Sequence, residues 1–337
     1  MKKIATKITL ADIAREARVG VATVDRVLNK RAAVKESTAR RVLEAARRLG
    51  FTLEQPHYRL AAGKAPVTIR MGFILLQESH SFYLPLARAL TREAAAWLHF
   101  AIDAVEAMAQ AIHRLSDEVE VLGLVALDHP LIRHAVARAA ARGVRVFTLL
   151  SDLSVPQRSG YIGLDNHKAG RTAAWFIERL CRGNGEIGII IGDNRFTCQE
   201  SCEISFRSCL REQGKGQQIL EPVRSQERAD IARTVTEQML TQYPALQAIY
   251  APCGGVEGIV DALRDSGRQQ EIALVCHGPL SDSELALIDG TIDIMLNHRL
   301  DEFAAVTLRA MADAASRPHS EVISLPQPFD IITKENM

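Results

Sequence analysis

From Val67 onward, short apolar runs alternate with stretches whose apolar residues recur every three or four positions. The runs at 69–76, 120–127, 145–150, 161–164, 186–192, 247–251, 272–277 and 292–296 read as strands, and those at 84–100, 132–142, 167–182 and 229–242 as helices. Strands this apolar, separated by amphipathic helices, can bury themselves only as parallel sheets covered on both faces. The span 67–337 is long enough for two such sheets, which predicts a two-lobed α/β body with a cleft between the lobes. One strand is missing from the pattern. The helix ending near 100 and the next one beginning near 103 leave no room for it, so the first lobe is expected to carry a shortened sheet or a loop deletion.

The first 64 residues are built differently. They hold 15 Lys/Arg against 6 Asp/Glu, a net charge of +9, whereas the other 273 hold 26 against 34, a net of −8. The overall +1 hides a basic head on an acidic body, the asymmetry of a small module that meets nucleic acid. Thr9 is a suitable N-cap, with Asp12 three residues on. Leu10, Ile13, Ala14 and Ala17 then give one apolar helix face. Arg18-Val19-Gly20 allows a tight turn into a second helix, 21–29, whose Val24, Val27 and Leu28 point inward. That arrangement leaves Val21, Ala22, Thr23, Asp25, Arg26 and Asn29 outward or at the helix start, as in a recognition helix that enters the major groove. A third helix is written over 34–51, with Val42, Leu43, Ala46 and Leu49 inward and Gly50 as its stop.

The run 8–29, ITLADIAREARVGVATVDRVLN, resembles the LacI/GalR family of bacterial repressors. Thr9, Leu10, Asp12, Ile13, Ala14, Ala17 and Val19 match its pattern, and Thr23, Val24, Arg26, Val27, Leu28 and Asn29 match it again. Two residues depart: Gly20 stands where the family usually caps the recognition helix with serine, and Asp25 where it usually places serine near the DNA backbone. A carboxylate at Asp25 is repelled by phosphate and puts that contact in doubt. The resemblance implies that Val21 and Ala22 touch base edges, that Arg26 reaches a guanine, and that Thr9, Thr23 and Asn29 hold phosphates. It also implies a hinge over 55–66 that pushes Leu60 into the minor groove, the alternative being a flexible tether.

The body resembles the periplasmic-binding-protein-like sensor of the same family, most strongly in YIGLDNHKAGRTAAWFI at 161–177. Its ligand cleft would lie at the carboxyl ends of the strands. Ser81, Phe82 and Tyr83 follow the first strand, Asp152 follows the 145–150 strand, and Asn297 and His298 follow the last run. Glu200 occupies the place where sugar-binding relatives carry an arginine, and Cys253 and Gly278 fall where they tend to have acids. A sugar needs dense paired donors and acceptors, so these losses count against an ordinary hexose.

Other chemistries fare less well. The segment APCGG at 251–255 lacks the lysine of a phosphate-binding loop. Cys198, Cys202 and Cys209 fall near one helix face, which leaves open a redox- or metal-responsive regulator or, more plainly, buried small hydrophobes. No nucleophile elbow or paired metal-ligand motif points to an enzyme. The basic start is followed by neither a secretory signal nor a membrane span.

The reading is therefore an α/β chain in three parts: an N-terminal three-helix helix-turn-helix domain (1–54), a hinge (55–66) and a two-lobed periplasmic-binding-protein-like domain with parallel sheets (67–337). It is expected to be a cytoplasmic transcriptional repressor, a homodimer on near-palindromic operator DNA, with no membrane partner, no metal and no cofactor. A small-molecule effector, sugar-like metabolites among the candidates, would control it. A solute receptor without regulatory function is the alternative from another class.

Overall fold

The structure is a computed structural model, and it describes residues 10–28, 38, 41–42, 45, 69–76, 81–94, 96–100, 105–181, 185–213, 217–280, 283–316 and 322–337. The chain divides into two units, Met1–Pro56 and His57–Met337.

In the first unit, α1 spans Leu10–Ala17 and α2 spans Val21–Leu28. Ile13, Ala14 and Ala17 are buried against Val24, Val42 and Ala45, with Val19 and Val27 packed at the margin. The joint is a helix stop made without glycine. Arg18 adopts a left-handed φ of 53°, Val19 N–H donates to Ala14 O at 3.0 Å and Arg18 N–H to Arg15 O at 3.3 Å. This bond pair closes the end of α1 and reverses the chain. The Gly20 carbonyl then accepts from Thr23 and Val24 and opens α2. A Cβ at Gly20 would meet nothing within 4 Å, so sterics do not demand glycine there. Of the expected third helix, residues 38, 41, 42 and 45 are described and are helical, with Val42 and Ala45 buried.

In the second unit the first lobe begins with β1 (Met71–Leu75), α3 (Tyr83–Glu93), β2 (Ala96–Phe100) and α4 (Val105–Leu115). It continues with β3 (Val121–Leu124), α5 (Pro130–Ala141), β4 (Arg145–Leu149) and β5 (Gly160–Leu164). The chain then crosses to the second lobe, which contributes α6 (Asn166–Leu180), β6 (Glu186–Ile191), α7 (Thr197–Gln213), β7 (Gln218–Ile219) and β8 (Val223–Arg224). There follow α8 (Ala229–Gln242), β9 (Leu246–Ala251), α9 (Val256–Asp265), β10 (Ala273–Gly278), α10 (Ser283–Ile288) and β11 (Ile294–His298). Helix α11 (Leu300–Ala315) and β12 (Ile323–Gln327) return to the first lobe, and β13 (Phe329–Ile332) ends in the second.

The first sheet runs β12-β5-β4-β3-β1-β2, all parallel. The second runs β13-β11-β10-β9-β6-β7, with β13 antiparallel to β11 and β8 paired with β6. The expectation of a shortened first sheet is corrected here. Helix α3 stops at Glu93, and Ala96–Phe100 pairs in parallel with β1, Met71 facing Ala96 and Leu75 facing Phe100. The alanines at 94–96 let a helical period run on through AWLHF, and the sheet overrides that weak preference. As an edge strand β2 is only partly covered, so Trp97 and Leu98 remain exposed and it lacks the fully apolar signature of its neighbours.

Each lobe has its own core. Phe73, Phe147 and Phe303 anchor the first. In the second, Phe206 stacks on Tyr250 at 4.6 Å under α6 and α7. Gly170 lets α6 approach α7 closely, since a Cβ there would collide with the Cys202 carbonyl and the Ser205 hydroxyl.

Candidate functional site

Strand ends from both lobes converge on one cleft, a cavity of about 100 Å³. Parallel sheets leave their carboxyl-end loops on one side, and the crossings after β5 and β11 bring those of the two sheets together. Phe82 and Tyr83 come from the start of α3, Asn166 from the first crossing and Gln199 from α7. Glu227 follows β8, Gly254 follows β9, and His277 and His298 close β10 and β11.

The walls touch. Ser81 Oγ donates to Glu257 Oε1 at 2.5 Å across the cleft, and the Phe82 ring meets His298 edge-on at 5.1 Å. Thr197 Oγ1 donates to Asp152 O at 2.8 Å, tying the start of α7 to the first lobe. On the second-lobe wall the Glu227 carboxylate accepts from Gln199 Nε2 at 2.7 Å and from Gly254 N–H at 2.9 Å. Gln199 Oε1 in turn accepts from Gly192 N–H. Gln226 and Glu227 both have left-handed φ, 53° and 60°. Non-glycine residues held there cost on the order of 1 kcal/mol or more each, and such positions cluster at ligand clamps.

Burial sets the charge of the site. His277 is depressed to about 3, by burial and then by the nearby His298, and His298 is depressed to about 4 by burial. Both imidazoles are therefore neutral at pH 7, with Tyr250 Oη and His277 Nε2 paired at 3.0 Å. Burial, then the Glu227 charge, pushes the Tyr83 phenol well up, so it stays protonated. Among the described residues that line the cleft, Glu227 is the one carboxylate and no lysine or arginine is present.

Of the six effector candidates, Phe82, Tyr83 and His298 lie on this cleft, and the other three do not. Asp152 is engaged within its own loop, accepting from Thr148 Oγ1 at 2.6 Å, from Leu153 N–H at 2.8 Å and from Arg158 Nη2 at 2.9 Å. Glu200 is exposed on α7 while its neighbour Gln199 faces in, because one residue along a helix turns the side chain by roughly 100°. Asn297 sits on the opposite face of β11 from His298, its Oδ1 close beneath Gly278. Cys253 and Gly278 do line the cleft. Asn166, Gln199, Glu227 and His277 were not anticipated as lining residues. The LDN run could have signalled Asn166, whereas Glu227 follows a two-residue strand with no readable period.

The three cysteines of α7 do not form one site. Cys198 and Cys202 border the cleft, while Cys209 donates to Arg171 O beneath α6. Burial pushes the Cys198 thiol up to about 12 and raises Cys202 and Cys209 as well, which disfavours the reactive thiolate. Among the described residues no group of three or more His, Cys, Asp or Glu is placed to hold a metal ion.

In the head, Val21 is 48% exposed at the first turn of α2 and Thr23 is half-buried beside it. The side chains of Ala22 and Arg26, and Thr9, Asn29 and Leu60 entirely, lie outside the described residues.

Together these features define a two-lobed α/β body with a cleft between its lobes, preceded in the sequence by two short helices joined by a tight turn. Comparison with known proteins agrees with both parts. Residues 71–317 match the periplasmic binding protein domain and residues 9–53 match the bacterial regulatory proteins of the lacI family. The chain belongs to the lacI family of regulatory proteins, with a periplasmic binding protein domain as its body.

Catabolite control protein A of Priestia megaterium is 42% identical over 83 residues, 25% of this chain and 24% of that protein. The match thus spans about a quarter of the curated relative's length. An uncharacterized HTH-type transcriptional regulator of Streptomyces limosus is 27% identical over 67% of this chain and 63% of its own. Among solved structures, the glucose-galactose binding protein GanP of Geobacillus stearothermophilus superposes with a TM-score of 0.70 at 18% identity, covering 80% of this chain and 99% of that one. An ABC transporter solute binding protein of Agrobacterium vitis with bound D-fucose gives 0.72 at 17%, covering 79% and 96%. These likenesses establish the fold of the body. Among the described residues no helix is long and apolar enough to cross a membrane.

Proposed function

We propose that this chain is a sequence-specific DNA-binding transcriptional regulator whose operator affinity is set by a small molecule held between the two lobes of its body. The observation that carries the reading is the pairing, in one chain, of a lacI-type helix-turn-helix with a cleft closed by contacts between two lobes. A ligand that binds one lobe arrangement better than another shifts the population of arrangements, and DNA affinity follows by linkage.

In this reading the head is 1–54, the hinge 55–66 and the body 67–337. Val21, Ala22 and Arg26 read bases, Thr9, Thr23 and Asn29 hold phosphates, and Leu60 enters the minor groove. The protein acts in the cytoplasm as a repressor, by binding rather than by catalysis. It works as a homodimer, so that two heads meet the half-sites of a near-palindromic operator. The open edge of β2, with Trp97 and Leu98 exposed, supports self-association through the body.

Selection of bound fragments from a random duplex pool tests this directly. Enrichment of a two-fold symmetric motif, bound in a salt-dependent manner, is expected. Failure to enrich any motif would remove the regulatory reading and leave a solute-binding protein.

A further inference from the structure

The turn from β6 into α7 belongs to the second lobe by sequence and to the first by packing. Phe196 at its tip is 6% exposed and lies in the core cluster of the first lobe, and Cys198 packs against the same cluster. Further along α7, Cys202, Phe206 and Cys209 are buried in the core of the second lobe instead. One helix thus starts in one lobe and continues into the other.

Polar contacts surround this aromatic knob. Asp128 N–H, after β3, donates to Arg195 O at 2.9 Å. Ser151, after β4, is buried; its Oγ accepts from Cys198 N–H at 3.4 Å and lies 3.3 Å from Thr197 Oγ1, which itself donates to Asp152 O. The socket is strained as well. Leu150 adopts a left-handed φ of 62°, rare for a side chain of its bulk, while its N–H still donates to Ile162 O at 2.8 Å. Strain kept directly beside Ser151 fits a strand end bent to present that residue to the turn. The turn is braced from within. Arg195 Nε and Nη2 donate to the two carboxylate oxygens of Asp193 at 2.9 and 2.8 Å, and Phe196 N–H donates to Asp193 O at 3.0 Å. Parting the lobes here would bring a phenyl ring into water and break the bonds around it.

We propose that Phe196 is a knob that keeps the two lobes closed in the free protein. A ligand then does not have to close the body, and its entry and exit wait on withdrawal of the 193–198 turn. The docking is independent of what the cleft binds; its consequence for a ligand rests on the reading of the cleft as the effector site.

Amide hydrogen exchange of the full chain, free of any added small molecule, tests the proposal. The Asp128 and Cys198 amides, which bond across the lobes, are expected to be protected. Phe196→Ala should speed their exchange roughly tenfold or more while leaving the central strands 121–124 and 246–251 unchanged. Thr197→Val keeps the side-chain volume but loses the hydroxyl, and should speed the same two amides by about fivefold. Unprotected Asp128 and Cys198 amides in the wild-type chain would overturn the proposal, and so would exchange that neither substitution alters. Equal acceleration in the central strands would also overturn it, because Phe196 would then only support the fold. Operator affinity of Phe196→Ala separates the two readings. If the turn undocks but operator affinity does not move, the knob stands and the coupling of the lobes to DNA falls.

Discussion

Arg18 in the head and Glu227 at the cleft share nearly the same left-handed φ, 53° and 60°, and they are held there by different means. Arg18 is exposed, and the two hydrogen bonds that fix it come from within five residues, Val19 to Ala14 and Arg18 to Arg15. Glu227 has local bonds beside it, its N–H to Ser225 Oγ and Arg228 N–H to Ser225 O, but its carboxylate is fixed by groups distant in sequence, Gln199 on α7 and Gly254 after β9, with Gly192 after β6 leaving room for it. The head's turn is thus a local device that reverses a helix wherever the sequence allows it. The cleft's turn exists only when the second lobe is assembled, so its geometry depends on tertiary packing.

That difference orders the expected effects. Phe206→Ala removes the ring stacked on Tyr250 beneath the cleft and should cost about 3–5 kcal/mol. Chemical denaturation should show the loss in the body's transition. Loss of the head's helicity in the same transition of the full-length variant, followed by circular dichroism, would break the distinction between local and tertiary control. Arg26→Ala should leave stability alone and weaken specific DNA binding by about 1–3 kcal/mol, relaxing selectivity at one base position. Unchanged affinity and selectivity in a gel-shift titration would remove Arg26 from the base-reading set.

The cleft histidines sharpen the comparison through pH. His277 and His298 bind protons near 3 and 4 in the fold but near the ordinary 6.5 when unfolded. The unfolded chain therefore binds more protons between those values, so body stability is full above about pH 6.5 and declines as pH falls toward about 4. Melting temperature against pH should show this slope, and His298→Asn should flatten part of it. A profile unchanged by the substitution would contradict the burial argument.

The smallest effect is the most telling for backbone strain. Gln226→Gly should stabilise the body by roughly 0.5–1 kcal/mol, since glycine tolerates the left-handed region. Arg18→Gly should act similarly on the head, with a shallower salt dependence of DNA binding if the lost cation met phosphate. Destabilisation at either position would show that its side chain matters more than its backbone.

The same local-against-tertiary distinction explains what was legible in the sequence. The head's helices, its inward residues Ile13, Ala14, Ala17 and Val24, and the apolar central strands announce themselves because periodicity and burial coincide in a short window. Strand β2 was hidden because an edge strand alternates weakly and AAAWLHF also carries a helical period. At the cleft, residues right after long strands were readable, such as Phe82, Tyr83 and His298. Gln199 and Glu227 were not, because one depends on helix phase and the other on a turn after a two-residue strand. Asp152 follows a strand as expected but is consumed by Arg158 and Thr148, a competition no linear pattern displays.

The central claim is that lobe arrangement and DNA affinity are coupled, and the Ser81–Glu257 contact across the cleft gives a way to test it without a ligand. Ser81→Ala and Glu257→Gln each weaken one hydrogen bond of about 1 kcal/mol that favours the closed arrangement. Fluorescence anisotropy on the selected operator, read beside small-angle scattering of the free protein, is the direct measurement. The account predicts a more extended body and an operator affinity changed by up to about fivefold in the same variants. A body that opens while operator affinity stays at the wild-type value would contradict it.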